Sequence, residues 1–308
     1  MAASGTAVGR FAPTPSGDLH VGNLRTAMLA WLFARSAGSG FVMRIDDLDP
    51  VTARDEVAAA QLADLRALGI EWDGPVVHQR DRTGAHGEAI AELVGRGLTY
   101  SCYCSRREIR EASAAPHGEA PDGAYPGTCR DLSPAEQDAR AAEGRPPALR
   151  LRADGEVVTV VDRLRGPVSA RVDDLVLRRG DGVPAYNLAV VVDDAAQGVG
   201  EVVRGDDLLL STPRQVHLAR VLGLPEVAYA HVPLVLAPSG ARLAKRDGAV
   251  TLGDRRRLGE SSDVVRSCLA TSLGLAEAGE MVSMATLLDR FDPGLLPTEP
   301  WILTPDQL

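Results

Sequence analysis

The 308-residue sequence predicts an α/β fold: a doubly wound parallel sheet, interrupted by a small insertion and closed by a short helical C-terminal region. Three observations carry this reading. Strand-like and helix-like patterns alternate up to Gly95; a Cys-, Pro-, Gly- and Arg-rich stretch without sustained period runs from Tyr100 to about Pro147; and helical periodicity returns after Lys245.

Taken along the chain, Ala7 to Ala12 reads as a strand and Pro13 to Gly22 as a loop. A helix follows from Leu24 to about Ala37, with Leu24, Met28, Trp31 and Leu32 at helical spacing and Gly38 and Gly40 as its stop. FVMRIDDLDP gives a short strand running into Asp46, Asp47 and Asp49. Helical patterns over Asp55 to Leu68 and Gly84 to Gly95 flank a strand near Pro75 to His78. Leu149 to Leu151, Val157 to Asp162 and Asp174 to Arg178 read as short antiparallel strands, with turns at Asp154-Gly155 and Asp181-Gly182. Order resumes at Ala185 to Val192. Ser211, Thr212 and Pro213 signal the cap and first turn of a helix to Leu222, and His231 to Leu236 reads as a last strand. Ser262 to Leu273 and Ser283 to Phe291 complete the helices.

Composition narrows the function classes. An apolar content of 45% supports a real core, and no apolar run reaches membrane-spanning length. MAASGTAVGR lacks the apolar stretch of a signal peptide, so a cytoplasmic protein with no membrane partner is expected. A net charge of -9 argues against indiscriminate attraction to nucleic acid; any polyanion needs local patches such as Arg106, Arg107 and Arg110, Arg255 to Arg257, or Arg178 with Arg179. Four cysteines, three of them between Cys102 and Cys129, do not form the spread framework of a secreted disulfide protein.

The chemistry concentrates in two loops. RFAPTPSGDLHVGN, Arg10 to Asn23, takes a strand through a glycine-containing loop into a helix start, where free N–H groups and the positive end of the helix dipole make a seat for phosphate. Gly22 leaves room for a ligand, and His20 can donate to a phosphoryl oxygen. The second loop, ARLAKRDG, holds the chain's one lysine, Lys245, a compact ammonium suited to a single phosphate oxygen.

Together these loops resemble the HIGH and KMSKS signatures of class I aminoacyl-tRNA synthetases, written here as HVGN (His20 to Asn23) and RLAKR (Arg242 to Arg246). RFAPTPSGDLHVGNLRTA, RIDDLDP and YNLAVVVDDAAQGVGEVVRGDDLLLSTPRQ follow in the order of the glutamyl branch, from about Gly9 to Lys245. The resemblance implies a Rossmann-like catalytic sheet in two halves, residues 1–99 and 181–240. Residues 100–180 form the insertion, and 241–308 the lysine loop and helical C-terminal region. It also implies activation of L-glutamate by ATP, with Mg²⁺ accompanying the nucleotide, to give glutamyl-adenylate and pyrophosphate.

Site residues follow from the same resemblance. Arg10, Phe11, Ala12, Pro13 and Thr14 match the glutamate-binding strand end, Asp46 the acid that receives the substrate ammonium, and Tyr186 with Arg204 the pair closing from the second half of the sheet. Arg10 and Arg204 together suit a substrate with two carboxylates. His20, Gly22, Asn23 and Lys245 would surround the ATP phosphates, His20 and Lys245 as the catalytic pair. By residue type alone, Arg204 reads equally well as a surface salt bridge with Asp206 or Asp207. Three positions depart from the family pattern: Asp46 is commonly glutamate, Asn23 replaces the last histidine of HIGH, and Ala244 replaces the first serine of KMSKS.

Three thiolates plus one further ligand would make a tetrahedral zinc site. The resemblance implies one structural Zn²⁺ on Cys102, Cys104, Tyr125 and Cys129, with His117 competing for the fourth place; Cys268 reads as core. Only 63 residues follow Lys245, fewer than an anticodon-binding region needs. That shortness and the cysteine pattern resemble the glutamyl-queuosine tRNA(Asp) synthetase family. It implies tRNA-independent activation of glutamate and transfer to queuosine in the anticodon stem-loop of tRNA(Asp); a monomer is expected, although no residue pattern fixes the oligomeric state. Two other classes stand beside it: an inactive synthetase paralogue acting as an RNA-binding or regulatory module, and a nucleotidylyltransferase, which would not need Tyr186 and Arg204.

Overall fold

The computed structural model describes residues 8–113, 124–243 and 250–304. The first third yields β1 (Val8–Phe11), α1 (Val21–Ser36), β2 (Phe41–Ile45), α2 (Asp55–Ala67), β3 (Val77–His78) and α3 (Thr83–Gly95). Then come β4 (Thr99–Cys102), α4 (Arg106–Ser113), α5 (Pro134–Ala142), β5 (Ala148–Leu151), the hairpin β6 (Val157–Asp162) and β7 (Gly166–Arg171), and β8 (Val176–Arg178). The chain returns through α6 (Tyr186–Ala196), β9 (Val199–Gly205), α7 (Thr212–Val221), β10 (Ala228–Val232) and β11 (Val235–Leu236). It closes with α8 (Leu252–Arg257), α9 (Ser262–Thr271), α10 (Met284–Arg290) and β12 (Trp301–Ile302). No described helix is long and apolar enough to cross a membrane.

The main sheet has the order β10-β9-β1-β2-β3, and every described pairing in it is parallel. Strand order reverses between β1 and β9, which opens a crevice at the carboxyl ends of those two strands. β9 was not expected from the sequence. Its short apolar run carries Glu201 and begins in a glycine-flanked turn, so neither alternation nor a continuous apolar run marks it.

Helix α1 buries far more than the one face that Leu24, Met28 and Leu32 define: Val21, Ala27, Leu29, Ala30, Phe33 and Ala34 are buried as well. It is apolar on most sides because the sheet covers one flank and the C-terminal helices another, with Phe33 edge-on to Phe291 at 5.2 Å. Arg25, fully buried in α1, donates to Pro233 O at 3.0 Å and to Ser272 Oγ at 3.0 Å, tying the helix to the β10–β11 connection and to the end of α9. The strand–helix contact is close. A Cβ on Gly9 would lie 2.7 Å from the Ala34 Cβ.

Between β3 and β9 the chain builds a three-stranded antiparallel sheet, β4-β5-β8, and the separate hairpin β6–β7. Two helices break a stretch expected to be irregular. α5 starts on a capping box, Ser133 with Glu136 around Pro134, and buries none of its residues, so apolar periodicity could not reveal it. Ser211 is not the side-chain cap expected for α7: a 3-10 turn, Asp206–Ser211, precedes the helix, and the Ser211 hydroxyl donates to Leu208 O at 2.7 Å.

Candidate active site

The loop after β1 delivers His20 as the N-cap of α1. Its Nδ1 accepts the Asn23 N–H at 3.2 Å, and the Asn23 Oδ1 accepts the His20 N–H at 3.1 Å. Asn23, an unusual residue for its place, thus closes a capping box. With Nδ1 accepting, the ring proton sits on Nε2, a hydrogen-bond donor. Burial lowers the His20 pKa and favours this neutral form. No acidic side chain stands in the first turn of α1 to offset its dipole. Gly22 lies on the cleft wall and has a second use: a Cβ there would lie 2.9 Å from the His20 ring, so the missing side chain also makes room for the histidine.

At the ends of β1 and β2 lies a buried charge cluster. Arg44 donates through Nε to Asp46 Oδ1 at 2.8 Å and through NH1 to Asp194 Oδ1 at 2.6 Å, and Arg10 Nε reaches the same Asp194 oxygen at 3.4 Å. Burial pushes the Asp46 pKa up against the opposing pull of Arg44. Asp46 therefore reaches the crevice with one oxygen already held by Arg44.

Arg204 is the penultimate residue of β9, and its Cα partner on β10 is His231. Its nitrogens meet no carboxylate among the described residues. Nε donates to His231 Nε2 at 3.0 Å, NH1 to Gln215 Oε1 at 2.8 Å and NH2 to Thr212 Oγ1 at 2.9 Å. The surface salt bridge is excluded, since Asp206 pairs with Arg165 and Asp207 with Arg242. Because an arginine Nε can only donate, His231 Nε2 must accept and Nδ1 must carry the proton, which it gives to Asp162 Oδ2 at 2.6 Å. Asp162 also accepts the backbone N–H groups of Leu164, Arg165 and His231. Burial opposes its charge, but these bonds, led by that from His231, hold its carboxyl below the usual range. The result is a cation held by neutral groups, buried, and facing the crevice.

The crevice is a cleft of about 610 Å³ whose walls include Phe11, Ala12, Pro13, Thr14, His20, Gly22, Asn23, Asp46, Tyr186 and Arg204. These expected site residues are brought together. Arg10 is not on that wall; it is buried among Asp194, Asp46 and Arg204, close enough to Arg204 to disfavour its charge. Tyr186, at the start of α6, is 45% exposed. Gln61, unnoticed in the sequence, clamps the loop from below by donating to Thr14 O at 3.0 Å and Gly17 O at 2.6 Å. Lys245, Ala244 and His117 lie outside the described residues. The chain leaves toward Lys245 from Leu243, on the cleft wall, and returns at Val250, whose carbonyl accepts the Val21 N–H at 2.8 Å.

The cysteines also converge. The Sγ atoms of Cys102, Cys104 and Cys129 lie within 4.8 Å of one another, a grouping that could hold a metal ion. The Tyr125 hydroxyl is 3.3 Å from Cys102 Sγ and 3.9 Å from Cys104 Sγ. Burial and the neighbouring thiols push the Cys104 thiol up to about 12, whereas at Cys102 burial is outweighed by bonds from Tyr125 and Arg150, which lower its pKa. Three sulfurs and one phenol oxygen in one small volume fit a tetrahedral soft cation. Of the arginine patches, Arg255 to Arg257 is consumed internally by Glu260, Asp64 and Asp254.

The same architecture occurs in known proteins. The family model for class I tRNA synthetases (E and Q), catalytic domain, matches residues 6–308. A glutamyl-Q tRNA(Asp) synthetase of Nocardia farcinica is 61% identical over 300 residues, 97% of this chain and 94% of that one. Another, of Symbiobacterium thermophilum, is 48% identical over 95% of this chain and 94% of its own. Among solved structures, a glutamate tRNA ligase from Elizabethkingia meningosepticum, in complex with its amino acid, superposes with a TM-score of 0.82 at 25% identity. That match covers 98% of this chain and 68% of the ligase. With its strand order, its histidine-capped helix and these identities across nearly full length, the chain belongs to the glutamyl-Q tRNA(Asp) synthetase family of class I tRNA synthetases.

Proposed function

We propose that the protein activates L-glutamate with ATP, without tRNA, and transfers the glutamyl group to queuosine at the wobble position of the tRNA(Asp) anticodon. One observation carries this reading furthest: Arg204, buried and without a carboxylate partner among the described residues, faces the same cleft as the His20 end of α1. An anionic amino acid and an anionic phosphate chain are thereby called to one place.

In this reading Arg204, supported by the charge of Arg10, takes a substrate carboxylate, and Asp46 takes the ammonium. Phe11, Ala12, Pro13 and Thr14 shape the floor, and Tyr186 covers the ligand. An oxygen of the glutamate α-carboxylate attacks the α-phosphorus, and the bond to pyrophosphate breaks as the new bond forms. His20 Nε2–H and Lys245 stabilise charge on the phosphates, so the protein's part is positioning and electrostatics. Mg²⁺, when bound with ATP, would supply charge neutralisation on its phosphates. Cys102, Cys104, Cys129 and Tyr125 would hold one structural Zn²⁺, pinning β4 to the segment before α5. The protein would act as a monomer on the anticodon stem-loop.

The test is pyrophosphate exchange with glutamate and ATP in the absence of tRNA, followed by transfer of labelled glutamate to tRNA(Asp) with and without queuosine. Exchange dependent on glutamate, and labelling that periodate pretreatment of the tRNA removes, are the expected results. No exchange with any amino acid would favour an inactive paralogue.

A further inference from the structure

A second cleft, of about 650 Å³, lies beside the first, and the two share Thr14, Asp46 and Tyr186. It leads away from His20 toward the cysteine cluster, between the segment after β2 (Leu48, Asp49), the start of α4 (Arg106, Ile109) and the β8–α6 loop (Arg179 to Ala185). The position of that loop is fixed. A Cβ on Gly180 would sit 2.5 Å from the Pro146 carbonyl oxygen, so the loop rests directly on the backbone leading into β5.

An acyl group held over Asp46 can be approached from only one of these two sides by an acceptor, because the other holds the nucleotide. In the second cleft Arg179 bridges two carboxylates, with NH1 at 3.2 Å from Asp49 Oδ2 and NH2 at 2.5 Å from Asp181 Oδ2. All three side chains are between 35% and 48% exposed. A pair so wetted is weak, and an incoming cation can replace the guanidinium.

We infer that this cleft is the acceptor subsite, and that Asp49 and Asp181 recognise the amino-cyclopentenediol of queuosine, one carboxylate taking its secondary ammonium and the other its vicinal diol. The inference rests on the proposed function and names the groups that would choose its acceptor. An unmodified guanosine carries neither ammonium nor base-linked diol, and the terminal adenosine of a tRNA carries a diol without the cation. In the transfer step a ring hydroxyl oxygen attacks the glutamyl carbonyl carbon. The new ester C–O bond forms as the acyl–phosphate C–O bond breaks, and AMP leaves with the electron pair and takes up the hydroxyl proton. Asp49 and Asp181 are binding groups in this step; neither lines the His20 cleft, and activation does not use them.

The experiment compares the intact protein with Asp49→Asn, Asp181→Asn and the double variant, by glutamate-dependent exchange without tRNA and by transfer to queuosine-containing tRNA(Asp). Free queuosine nucleoside serves as competitor and guanosine as its control. Exchange rates within about twofold of wild type serve as the folding control, with kcat/KM for transfer reduced at least about tenfold per substitution, mostly through KM. Queuosine, and not guanosine, should inhibit wild-type transfer, and the double variant should lose that inhibition. Wild-type transfer matched by all three variants would overturn the subsite while leaving the proposed function standing. Exchange without any transfer by wild type would overturn both.

Discussion

His231 joins Arg204 to Asp162: its Nε2 accepts from Arg204 at 3.0 Å while its Nδ1 donates to Asp162 at 2.6 Å, and the imidazole is fully buried. The two carboxylate and guanidinium charges thus stabilise a single tautomer of the ring from both ends. His231→Ala removes the acceptor and leaves a buried guanidinium short of one bond. Hydrogen bonds to charged groups contribute about 1.5–3 kcal/mol, which corresponds to a rise in KM for glutamate of about tenfold to a hundredfold. KM for ATP should hardly move. His231→Gln offers an amide donor and acceptor at the same places and should recover most of the loss in an exchange assay. Equal KM values for glutamate in wild type and His231→Ala would show that Arg204 does not hold the substrate.

The same ring sets an acid limit. Burial lowers the His231 pKa below its ordinary 6.5, overriding the pull of Asp162, and His20 is lowered for the same reason. Below about 6.5 the unfolded chain therefore takes up protons that the native state refuses. Stability should fall as pH drops from about 6.5 toward the native pKa values and level off beneath them. The contribution of Asp162, whose native pKa is depressed, persists above 3.8 and disappears as pH falls through its native value. Urea melts of wild type and His231→Gln at pH 7.5, 6.5 and 5.5 should show a shallower slope for the variant.

Gly22→Ala places a methyl against the His20 ring. Overpacking of this kind costs about 1–3 kcal/mol, and relief comes most cheaply by turning the imidazole out of the capping box. Exchange should lose about tenfold to a hundredfold in kcat/KM for ATP, with little change in KM for glutamate. An alanine variant with unchanged ATP kinetics would remove His20 from the phosphate site.

Lys245→Ala should abolish adenylate formation, by about a hundredfold or more if its ammonium meets charge developing on the phosphates. Normal exchange by this variant would refute the assignment.

Metal analysis of the purified protein should find about one zinc per chain, and Cys102→Ser should lose it. Because the cysteine cluster pins β4 and does not line the His20 cleft, this variant should lose thermal stability and transfer before it loses exchange. Full zinc content in Cys102→Ser would move the metal elsewhere.

What the sequence disclosed and what it hid divide along range. The loop-to-helix junction at His20 is legible because it is local, though the capping box that Asn23 closes is not, and the Asp154-Gly155 turn is left-handed at both residues, as its dipeptide indicates. Helix α5 carries its signal too, in Ser133-Pro134-Ala135-Glu136, but only as a cap with no apolar period behind it. The roles of Asp162, His231, Gln215 and Thr212 had no local mark. Each is polar and ordinary in sequence, and only the packing of the β6–β7 hairpin against β10 brings a carboxylate 69 residues away under the His231 ring. Gly22 lines the cleft, and its packing against the His20 ring is a further reason for the missing side chain that only the structure shows.

Asp162 closes β6, in a hairpin inserted between the two halves of the main sheet, yet through His231 its carboxylate supports Arg204, the arginine proposed to take the substrate carboxylate. The inserted segment is therefore no detachable cassette for RNA. A graft from another synthetase would have to bring its own anion to that spot, or the host enzyme would lose its grip on glutamate before any RNA arrived.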